Sequence, residues 1–353
     1  MGSVKPQILR HNFLKEITDH FSGERELGRG TFGVVYKGVL EDGQQIAVKV
    51  LKYKEGVDAE KFNRELTNLT TVKHPNIVQL VGFCNETERV PVEHNGNHVI
   101  ASVMHMALCF EYMRNGSLSK HLSDDYEAFG WDKRYRVIKG ICEGLKHLHM
   151  RQSPIYHLDL KPANILLDEN MEPKIADFGL SWLHGEQGSD MIISDDVGTR
   201  GYVPPEYIDH KQISDKFDIF SLGIIILKII NGPAVYSRTG GMESDKYIEH
   251  VCNKWRERMN VGPGNKSLIN KTCHQVKSCT EIALRCAAED HIARPDIGYI
   301  VDKLNEVDKY QNHQSPYIEE VRPRTVKMIY FILYFIFDIQ CASLMYVDTI
   351  FYS

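Results

Sequence analysis

The residues best suited to chemistry stand near the middle of the chain, where residues 157–164 read HLDLKPAN. Asp159 is a carboxylate that can orient a hydroxyl group and accept its proton, and Lys161 can reach a transferring phosphate as a point charge. Asn164 and, further along, Asp177 supply the oxygen ligands that Mg²⁺ prefers. These residue types, in this order, predict transfer of a phosphoryl group with magnesium neutralising charge on the phosphates.

A glycine-rich motif, GRGTFG, places Gly28, Gly30 and Gly33 near the N-terminus. Glycines with this spacing also occur by chance, so the motif alone is weak evidence of a phosphate site. A dinucleotide-binding fold would put the glycines between a strand and a helix, whereas VVYKGVL continues here as a strand pattern. The sequence therefore favours a hairpin turn that lies over phosphates.

Lys49 lies in an alternating strand pattern and shares one face of it with Ala47. Read alone, it is an ordinary solvent-facing lysine. Glu65 falls on a predicted helix, and a Lys–Glu pair across strand and helix could hold the ammonium group against phosphate oxygens. The segment that contains Asp159 and Asp177 is what favours this functional interpretation.

The elements that position these residues begin with a predicted sheet. Residues 26–51 alternate β-branched and apolar residues, with a hairpin signal at residues 41–43, and residues 58–72 have the spacing of an amphipathic helix. Two further strand-like runs, at residues 77–84 and 103–112, are separated by a polar stretch. We expect that stretch to form a long exposed loop or a hairpin.

Helical patterns dominate from about residue 118 onward, around a motif-dense segment at residues 156–206. The predicted helices cover residues 118–123, 131–152, 214–231, 244–260, 275–289 and 295–310. A sheet-rich region followed by a helix-rich region predicts two lobes and an α+β fold.

Taken together, these motifs resemble those of the eukaryotic protein kinase family. The resemblance is carried by the glycine motif, by HLDLKPAN, and by three short sequences: Ala-Val-Lys at 47–49, Asp-Phe-Gly at 177–179 and Pro-Pro-Glu at 204–206. An accidental coincidence of all of them in this order is far less common than a chance match to any one.

The resemblance covers about residues 21–310 and implies a kinase-like bilobal fold. Its N-terminal lobe, residues 21–113, would be an antiparallel β-sheet with one helix, and its C-terminal lobe, residues 114–310, would be mainly helical. Residues 1–20 would form an N-terminal segment, and residues 311–353 a C-terminal tail.

The same resemblance implies a role for each matching residue. The implied catalytic residues are Asp159 as base, Lys161, Lys49 and its partner Glu65. The implied ligands of Mg²⁺ are Asn164 and Asp177. The implied ATP-binding residues are Gly28, Gly30, Gly33, Val35, Ala47, Lys49, Glu111, Met113 and Leu166. Residues 111–113 would be the hinge that bonds the adenine edge, with Phe110 as gatekeeper, although plain core is the simpler interpretation of each apolar side chain.

Two supporting positions also match the family. Asp218 resembles a buried helix aspartate that anchors the catalytic loop, and Arg294 resembles the partner of Glu206. Simple surface charges are the alternative interpretation of all three.

Lys161 and Thr199 resemble their counterparts in serine/threonine kinases, which implies protein substrates with Ser or Thr. Phrases such as LVGFC, EYMRNGSL and GYVPPEY resemble plant receptor-like kinases of the receptor-like/Pelle group. That group implies signalling below an upstream receptor kinase, and some of its members act in defence. The chain shows no ectodomain or membrane helix ahead of the domain, so it resembles a cytoplasmic form or a fragment of a receptor.

Leu158 departs from the family pattern, because most members have Arg after the histidine of this motif. That Arg usually binds a phosphate on the activation segment, so a phosphate at Ser189, Ser194 or Thr199 would lack its main bidentate partner. We therefore do not expect activation-segment phosphorylation to act as the switch. A non-catalytic pseudokinase or scaffold that binds nucleotide or partners is the alternative function.

Composition sets limits on partners and compartment. The formal net charge of −5 gives no global attraction to nucleic acid, and eight scattered cysteines fit a reducing, cytoplasmic compartment. The N-terminus has no secretory signal. The tail contains the apolar run MIYFILYFIF at 328–337 with basic residues before it, so membrane association through the tail is weighed against docking onto the helical lobe.

Overall fold

The structure is a computed structural model. It describes residues 5–30, 33–51, 57–94, 97–123, 129–183, 197–232, 242–259 and 266–313. The contacts divide the chain into a unit of residues 1–307 and a unit of residues 308–353. The predicted phosphosites Ser189 and Ser194 and the apolar run 328–337 lie outside the described residues.

A six-stranded sheet forms the N-terminal part and confirms the predicted β-rich lobe. Its strands are β1 (Gln7–Ile8), β2 (Glu26–Arg29), β3 (Gly33–Val39), β4 (Gln45–Leu51), β5 (Leu80–His94) and β6 (Asn97–Glu111). They lie in the order β1-β5-β6-β4-β3-β2, antiparallel except for the β1–β5 pair. The β3–β4 turn has Gly43 at φ +82°, a conformation that favours glycine, as the hairpin signal predicts.

The two faces of this sheet carry different helices. Helix α1 (His11–Ile17) buries Leu14 completely, in a cluster with Val48 and Cys109. Helix α2 (Val57–Thr71) packs Phe62 on the opposite face, in the cluster that contains Leu108. Because successive strand residues point to opposite faces, Lys49 shares the face of Leu108, its partner across β4 and β6. The sheet therefore turns Lys49 toward α2.

Strands β5 and β6 form a hairpin that is longer than the rest of the sheet. Their pairing runs from Leu80 to His94, but β4 pairs only with the last five residues of β6 and β1 only with Gly82 and Phe83. The polar stretch that we expected to be a loop or a hairpin is thus the outer part of this hairpin. Its exposed apolar residues are Val92, Val99, Ile100 and Val103.

The C-terminal part is mainly helical, as predicted. Its helices are α3 (Leu118–Ser123), α4 (Trp131–His149), α5 (Pro205–His210), α6 (Phe217–Asn231), α7 (Ser244–Met259), α8 (Lys266–Cys286) and α9 (Ile297–His313). Helix α8 begins well before the predicted start at 275, because its first turns show no apolar period: Leu268 is exposed, and the buried Thr272 is polar. Thr272 and Gln275 are buried, and Gln275 accepts a hydrogen bond of 2.8 Å from the indole of Trp131.

Four short strands frame the segment with the catalytic motifs. They are β7 (Ile155–Tyr156), β8 (Ile165–Leu167), β9 (Pro173–Ile175) and β10 (Trp182–Leu183). Strands β8 and β9 pair antiparallel, as do β7 and β10. Asp159 and Lys161 therefore lie in the loop between β7 and β8, and Asp177 lies directly after β9. Within the described ranges, the helices all fall short of the length and apolar character that a membrane span requires.

Candidate active site

Lys49 makes two ion pairs that connect the sheet, α2 and the segment after β9. Its Nζ lies 2.9 and 2.8 Å from the carboxylate oxygens of Glu65 and 2.7 Å from Oδ1 of Asp177. Lys49 and Glu65 are buried, while Asp177 keeps partial exposure. The structure thus brings together three of the residues that the sequence singled out.

The charges of this cluster leave it ready for a cation. Burial alone would lower the pKa of Lys49, but Asp177 and Glu65 outweigh burial and raise it. Burial alone would raise the pKa of Asp177, but Lys49 outweighs burial and lowers it. Burial raises the pKa of Glu65, so Asp177 is the carboxyl group of this cluster whose charged form is favoured.

Asp159, Lys161 and Thr199 form a second cluster. The Nζ of Lys161 lies 2.7 Å from Oδ2 of Asp159 and 2.7 Å from Oγ1 of Thr199, whose hydroxyl donates to Oδ1 of Asp159 at 2.6 Å. Asn164 donates from Nδ2 to the backbone oxygen of Asp159 at 2.9 Å and to its Oδ2 at 3.1 Å. Both acceptors are oxygens, so the amide orientation is fixed and Oδ1 of Asn164 is left as the oxygen ligand.

Asp218 on α6 binds the backbone of the loop that carries Asp159. Asp218 is fully buried and accepts hydrogen bonds from the backbone N–H of His157 at 2.7 Å and of Leu158 at 2.8 Å. His149 lies 2.9 Å from its Oδ2. Leu158 has φ +62°, a left-handed conformation that costs a non-glycine residue free energy unless its surroundings hold it. Asp218 is therefore an anchor, as the resemblance implies, and not a surface charge.

His157 connects this loop to the segment of Asp177. Its Nε2 lies 2.9 Å from the backbone oxygen of Ala176, and its ring stands edge-on to Phe178 with centroids 5.1 Å apart. Asp177 itself has φ +69°. His157 therefore contacts the residues on both sides of the strained Asp177, Ala176 through a hydrogen bond and Phe178 through its ring.

Gly28, Gly30 and Gly33 of the glycine motif differ in the space that a side chain would have. A Cβ at Gly33 would lie 2.2 Å from the backbone oxygen of Val50, so the approach of β4 excludes any side chain there. A Cβ at Gly28 or Gly30 would meet nothing within 4 Å. The N–H of Gly30 donates to the oxygen of Gly33 at 2.9 Å, which closes the turn between β2 and β3. Open space at the first two glycines is compatible with a phosphate-covering loop.

The residues assigned to the adenine site lie on the same face of the sheet and on β8. Val35 on β3 pairs with Lys49, and Ala47 on β4 pairs with Phe110 on β6. Val35, Ala47 and Leu166 are each half-buried. Ala47 and Leu166 pack against the main core cluster. Their assignment to an adenine site stays a prediction.

The predicted hinge begins at Glu111, the last residue of β6. The carboxylate of Glu111 already has two partners in the protein. It accepts a hydrogen bond from the backbone N–H of Gln79 at 2.8 Å and pairs with the ammonium group of Lys174 at 3.0 Å. Met113 is buried, and its carbonyl oxygen accepts from the N–H of Gly116 at 3.2 Å. Any bond from this segment to a ligand would therefore come from its backbone.

Glu206 and Arg294 form a buried bidentate ion pair, with both distances 2.7 Å. Burial alone would raise the pKa of Glu206, but the bond to Arg294 lowers it. Ser214 donates to the same carboxylate at 2.9 Å. The pair joins the start of α5 to the segment before α9, so the surface interpretation of these charges is wrong.

The sequence did not indicate what surrounds Leu158. Leu158 is fully buried in a cluster with Val197, Val203, Tyr207 and Phe217. The hydroxyl of Tyr207 accepts from the N–H of Val197 at 2.9 Å. Residues 197–207, which follow the part of this segment that lies outside the described residues, are therefore packed on Leu158 by apolar contacts, at the position where most members of the resembled family have Arg.

Two more contacts near the site were not predicted. His149 bonds Asp218, and Asn68 on α2 bonds Ser181 beyond the Asp-Phe-Gly motif. The signal for Asn68 was present, since it follows Glu65 by three positions and must share its helix face. No pattern in the sequence indicated His149.

The donor set fits a magnesium ion bound together with a nucleotide. Asp177 provides a carboxylate of which Lys49 engages only Oδ1, and Asn164 provides an amide oxygen. Magnesium sites of this kind use one or two protein ligands and complete the shell with phosphate oxygens and water. Across the ranges that the structure covers, no cluster of three or more His, Cys, Asp or Glu side chains is arranged to hold a metal by itself.

Comparisons with known proteins agree with this geometry. A family model described as protein kinase domain matches residues 21–304. Cysteine-rich receptor-like protein kinase 29 of Arabidopsis thaliana is 38% identical over 313 residues, which are 86% of this chain and 43% of that protein.

Two other relatives from Arabidopsis thaliana are of the same kind. Cysteine-rich receptor-like protein kinase 44 is 36% identical over 295 residues, covering 82% of this chain and 74% of the relative. A G-type lectin S-receptor-like serine/threonine-protein kinase is 33% identical over 312 residues, covering 86% of this chain and 36% of the relative. The chain therefore spans less than half the length of some relatives that it matches and about three quarters of another.

Proposed function

Because the chain belongs to the protein kinase family, in its receptor-like branch, we propose that it transfers the γ-phosphate of ATP to serine and threonine hydroxyls of proteins. The observation that carries the proposal is a connected set of contacts: Lys49 pairs with Asp177, and Asp159 bonds Lys161 and Asn164. The backbone oxygen of Asn164 accepts from the N–H of Ala176, the residue before Asp177, which joins the two groups. The retained side chains give the pseudokinase alternative no support.

The residues divide the work of phosphoryl transfer. Asp159 orients the substrate hydroxyl and receives its proton, and Lys161 offsets the negative charge that develops beside it. Lys49, held by Glu65, places its ammonium group against the α- and β-phosphates. Magnesium held by Asn164 and Asp177 would neutralise charge on the phosphates. The glycines of the β2–β3 turn would cover the nucleotide from above.

The preference for serine and threonine rests on Thr199. Its hydroxyl bonds both Asp159 and Lys161, so the end of the activation segment is tied to the base. Lys161 and Thr199 are also the two residue types that resemble those of serine/threonine kinases. Protein substrates follow from the family.

The partners and the compartment are part of the proposal. An upstream receptor kinase is proposed because the relatives are named as receptor-like kinases. We place the protein on the cytoplasmic side, where reduced thiols such as those of the buried Cys142 and Cys286 are stable. Membrane association through residues 328–337 stays a prediction, and extraction of membranes with carbonate tests it.

Transfer of labelled phosphate to a generic protein substrate tests the proposal directly. We expect Asp177→Asn and Lys49→Met to reduce labelling by at least about 100-fold, since each removes charge stabilisation that acts on the phosphates. Asp302→Asn is the matched control, because Asp302 is an exposed carboxylate on α9. Equal labelling by all three variants would remove the site. Thermal stabilisation by MgATP without any labelling would instead support the scaffold alternative.

A further inference from the structure

Helix α2 makes a second contact with the segment after Asp177, one helical turn beyond Glu65. The Nδ2 of Asn68 donates to Oγ of Ser181 at 2.7 Å, and that hydroxyl donates to the backbone oxygen of Phe178 at 2.6 Å. Asn68 is 3% exposed and Ser181 is fully buried. The three groups form a short chain of hydrogen bonds that water does not reach.

These hydrogen bonds, together with one to Glu65, fix the backbone of Phe178. The carboxylate of Glu65 accepts a hydrogen bond from the backbone of Phe178. The carbonyl oxygen of Phe178 accepts from both the hydroxyl and, at 3.1 Å, the N–H of Ser181. Two residues of α2 therefore hold Phe178, Glu65 directly and Asn68 through Ser181.

Holding Phe178 matters because its neighbour is strained. Asp177 has φ +69°, and a non-glycine residue stays in that conformation only when its surroundings fix it. The carboxylate of Asp177 must also stay within bonding distance of Lys49. A segment fixed on both sides of Asp177 meets both requirements.

We propose that Asn68 is a positioning residue that acts through Ser181 to hold the carboxylate of Asp177 in place for the metal-bound nucleotide. This inference rests on the proposed function. Asn68 touches no reacting atom and is not a catalytic residue.

Stability alone does not explain this buried polar pair. Replacing both partners of a buried hydrogen bond with apolar groups of similar shape is often nearly neutral for stability, whereas removing only one leaves a buried group unsatisfied. A fold that needed only packing at this point could use leucine and alanine. The double variant Asn68→Leu/Ser181→Ala therefore separates the two roles, because it keeps the packing and loses the hydrogen bonds.

Kinetics of the single and double variants test the inference. We expect Asn68→Leu and Ser181→Ala each to lower kcat about ten-fold, the effect of about 1.4 kcal/mol, and the double variant to be no worse than either single variant. The MgCl₂ concentration for half-maximal rate should rise several-fold in all three. Ser181→Thr keeps the hydroxyl and should restore most of the rate.

The matched control is Thr280→Val. Thr280 is a fully buried hydroxyl on α8 that donates to the oxygen of Val276 at 2.7 Å, away from the cleft. We expect this variant to lower the thermal midpoint while leaving the magnesium dependence unchanged. Additive losses in the double variant, or a magnesium dependence that follows thermal stability in every variant, would overturn the inference.

Amide hydrogen exchange in the protein without nucleotide gives a readout that needs no activity. We expect exchange of the peptide covering residues 177–181 to become faster in Asn68→Leu and to stay unchanged in Thr280→Val. Unchanged exchange in Asn68→Leu would contradict the positioning role. If the wild-type protein transfers no phosphate, the proposed function fails, while the exchange comparison still decides the role of Asn68.

Discussion

Asp218 shows how one buried carboxylate determines the shape of a loop. It receives two backbone N–H groups of the catalytic loop and lies beside His149. Burial works against its charged form, yet the bond to His149 and the nearby charges and donors lower its pKa. The strained backbone of Leu158 depends on these bonds, so the position of Asp159 depends on them as well.

The lowered pKa of Asp218 predicts a dependence of stability on pH. A carboxylate whose pKa is lower in the folded than in the unfolded state stabilises the fold above its unfolded pKa of about 3.9, and this contribution is lost as the pH falls through the folded pKa. We expect Asp218→Asn to lower the free energy of unfolding at pH 7 by roughly 2–3 kcal/mol, because one buried backbone N–H would face an amide NH₂ group instead of a carboxylate oxygen. The variant should also lose less stability than wild type on acidification below pH 4.

Urea denaturation at pH 7 and at lower pH measures both effects, with Asp302→Asn as the exposed control. A parallel pH profile for Asp218→Asn and wild type would show that Asp218 does not carry this dependence.

At the scale of elements, helix α1 does more than precede the kinase domain. Strand β1 extends the sheet by pairing with Gly82 and Phe83, and α1 covers the sheet face opposite α2. Thr18, at the end of α1, is also fully buried and donates to the oxygen of Leu14 at 2.6 Å. Residues 7–18 are therefore packed as part of the sheet. The domain boundary at residue 21 stays a prediction.

Leu14→Ala measures this contribution. Removal of a fully buried leucine side chain costs about 2–5 kcal/mol, since transfer free energy and the cavity left behind both count. We expect a loss in that range by urea denaturation. Glu16→Ala, an exposed position on the same helix, should change the unfolding free energy by less than about 0.5 kcal/mol. Similar effects of the two changes would mean that α1 contributes little to the fold.

The elements also show where sequence patterns carry information. The catalytic loop and the residues around Asp177 could be predicted because their chemistry restricts the residue types at each position. Helix α1 could not, because its two buried residues, Leu14 and Ile17, are too few to show a period. The start of α8 was missed because its first turns show no apolar period: Leu268 is exposed, and the buried Thr272 is polar.

For the whole molecule, Leu158 changes how the two halves of the catalytic centre are held together. An arginine there would bind a phosphate on the activation segment, whereas Leu158 joins an apolar cluster with Val197, Val203 and Tyr207. Packing of this kind is present without any modification. The hydrogen bond between Thr199 and Asp159 should therefore persist in the unphosphorylated protein.

Activity before and after phosphatase treatment tests this expectation. We expect kcat of the wild type to change by less than about three-fold, because the apolar cluster is present without phosphate. This limit corresponds to a change of less than about 0.7 kcal/mol in activation free energy. Leu158→Ala should lower stability by about 2–5 kcal/mol and disturb Thr199 as well. Loss of nearly all activity on dephosphorylation would show that the apolar cluster does not replace the phosphate contact.

The overhanging hairpin of β5 and β6 makes the protein convenient for site-specific labelling. Ile100 is 69% exposed, whereas the native thiols of Cys84, Cys109 and Cys286 are buried with pKa values raised to about 11, 12 and 12. A maleimide reacts with thiolate, so a fluorophore would attach selectively to the variant Ile100→Cys once Cys273 and Cys341 are replaced by serine. Such a dye would report on encounters at the outer part of the β5–β6 hairpin.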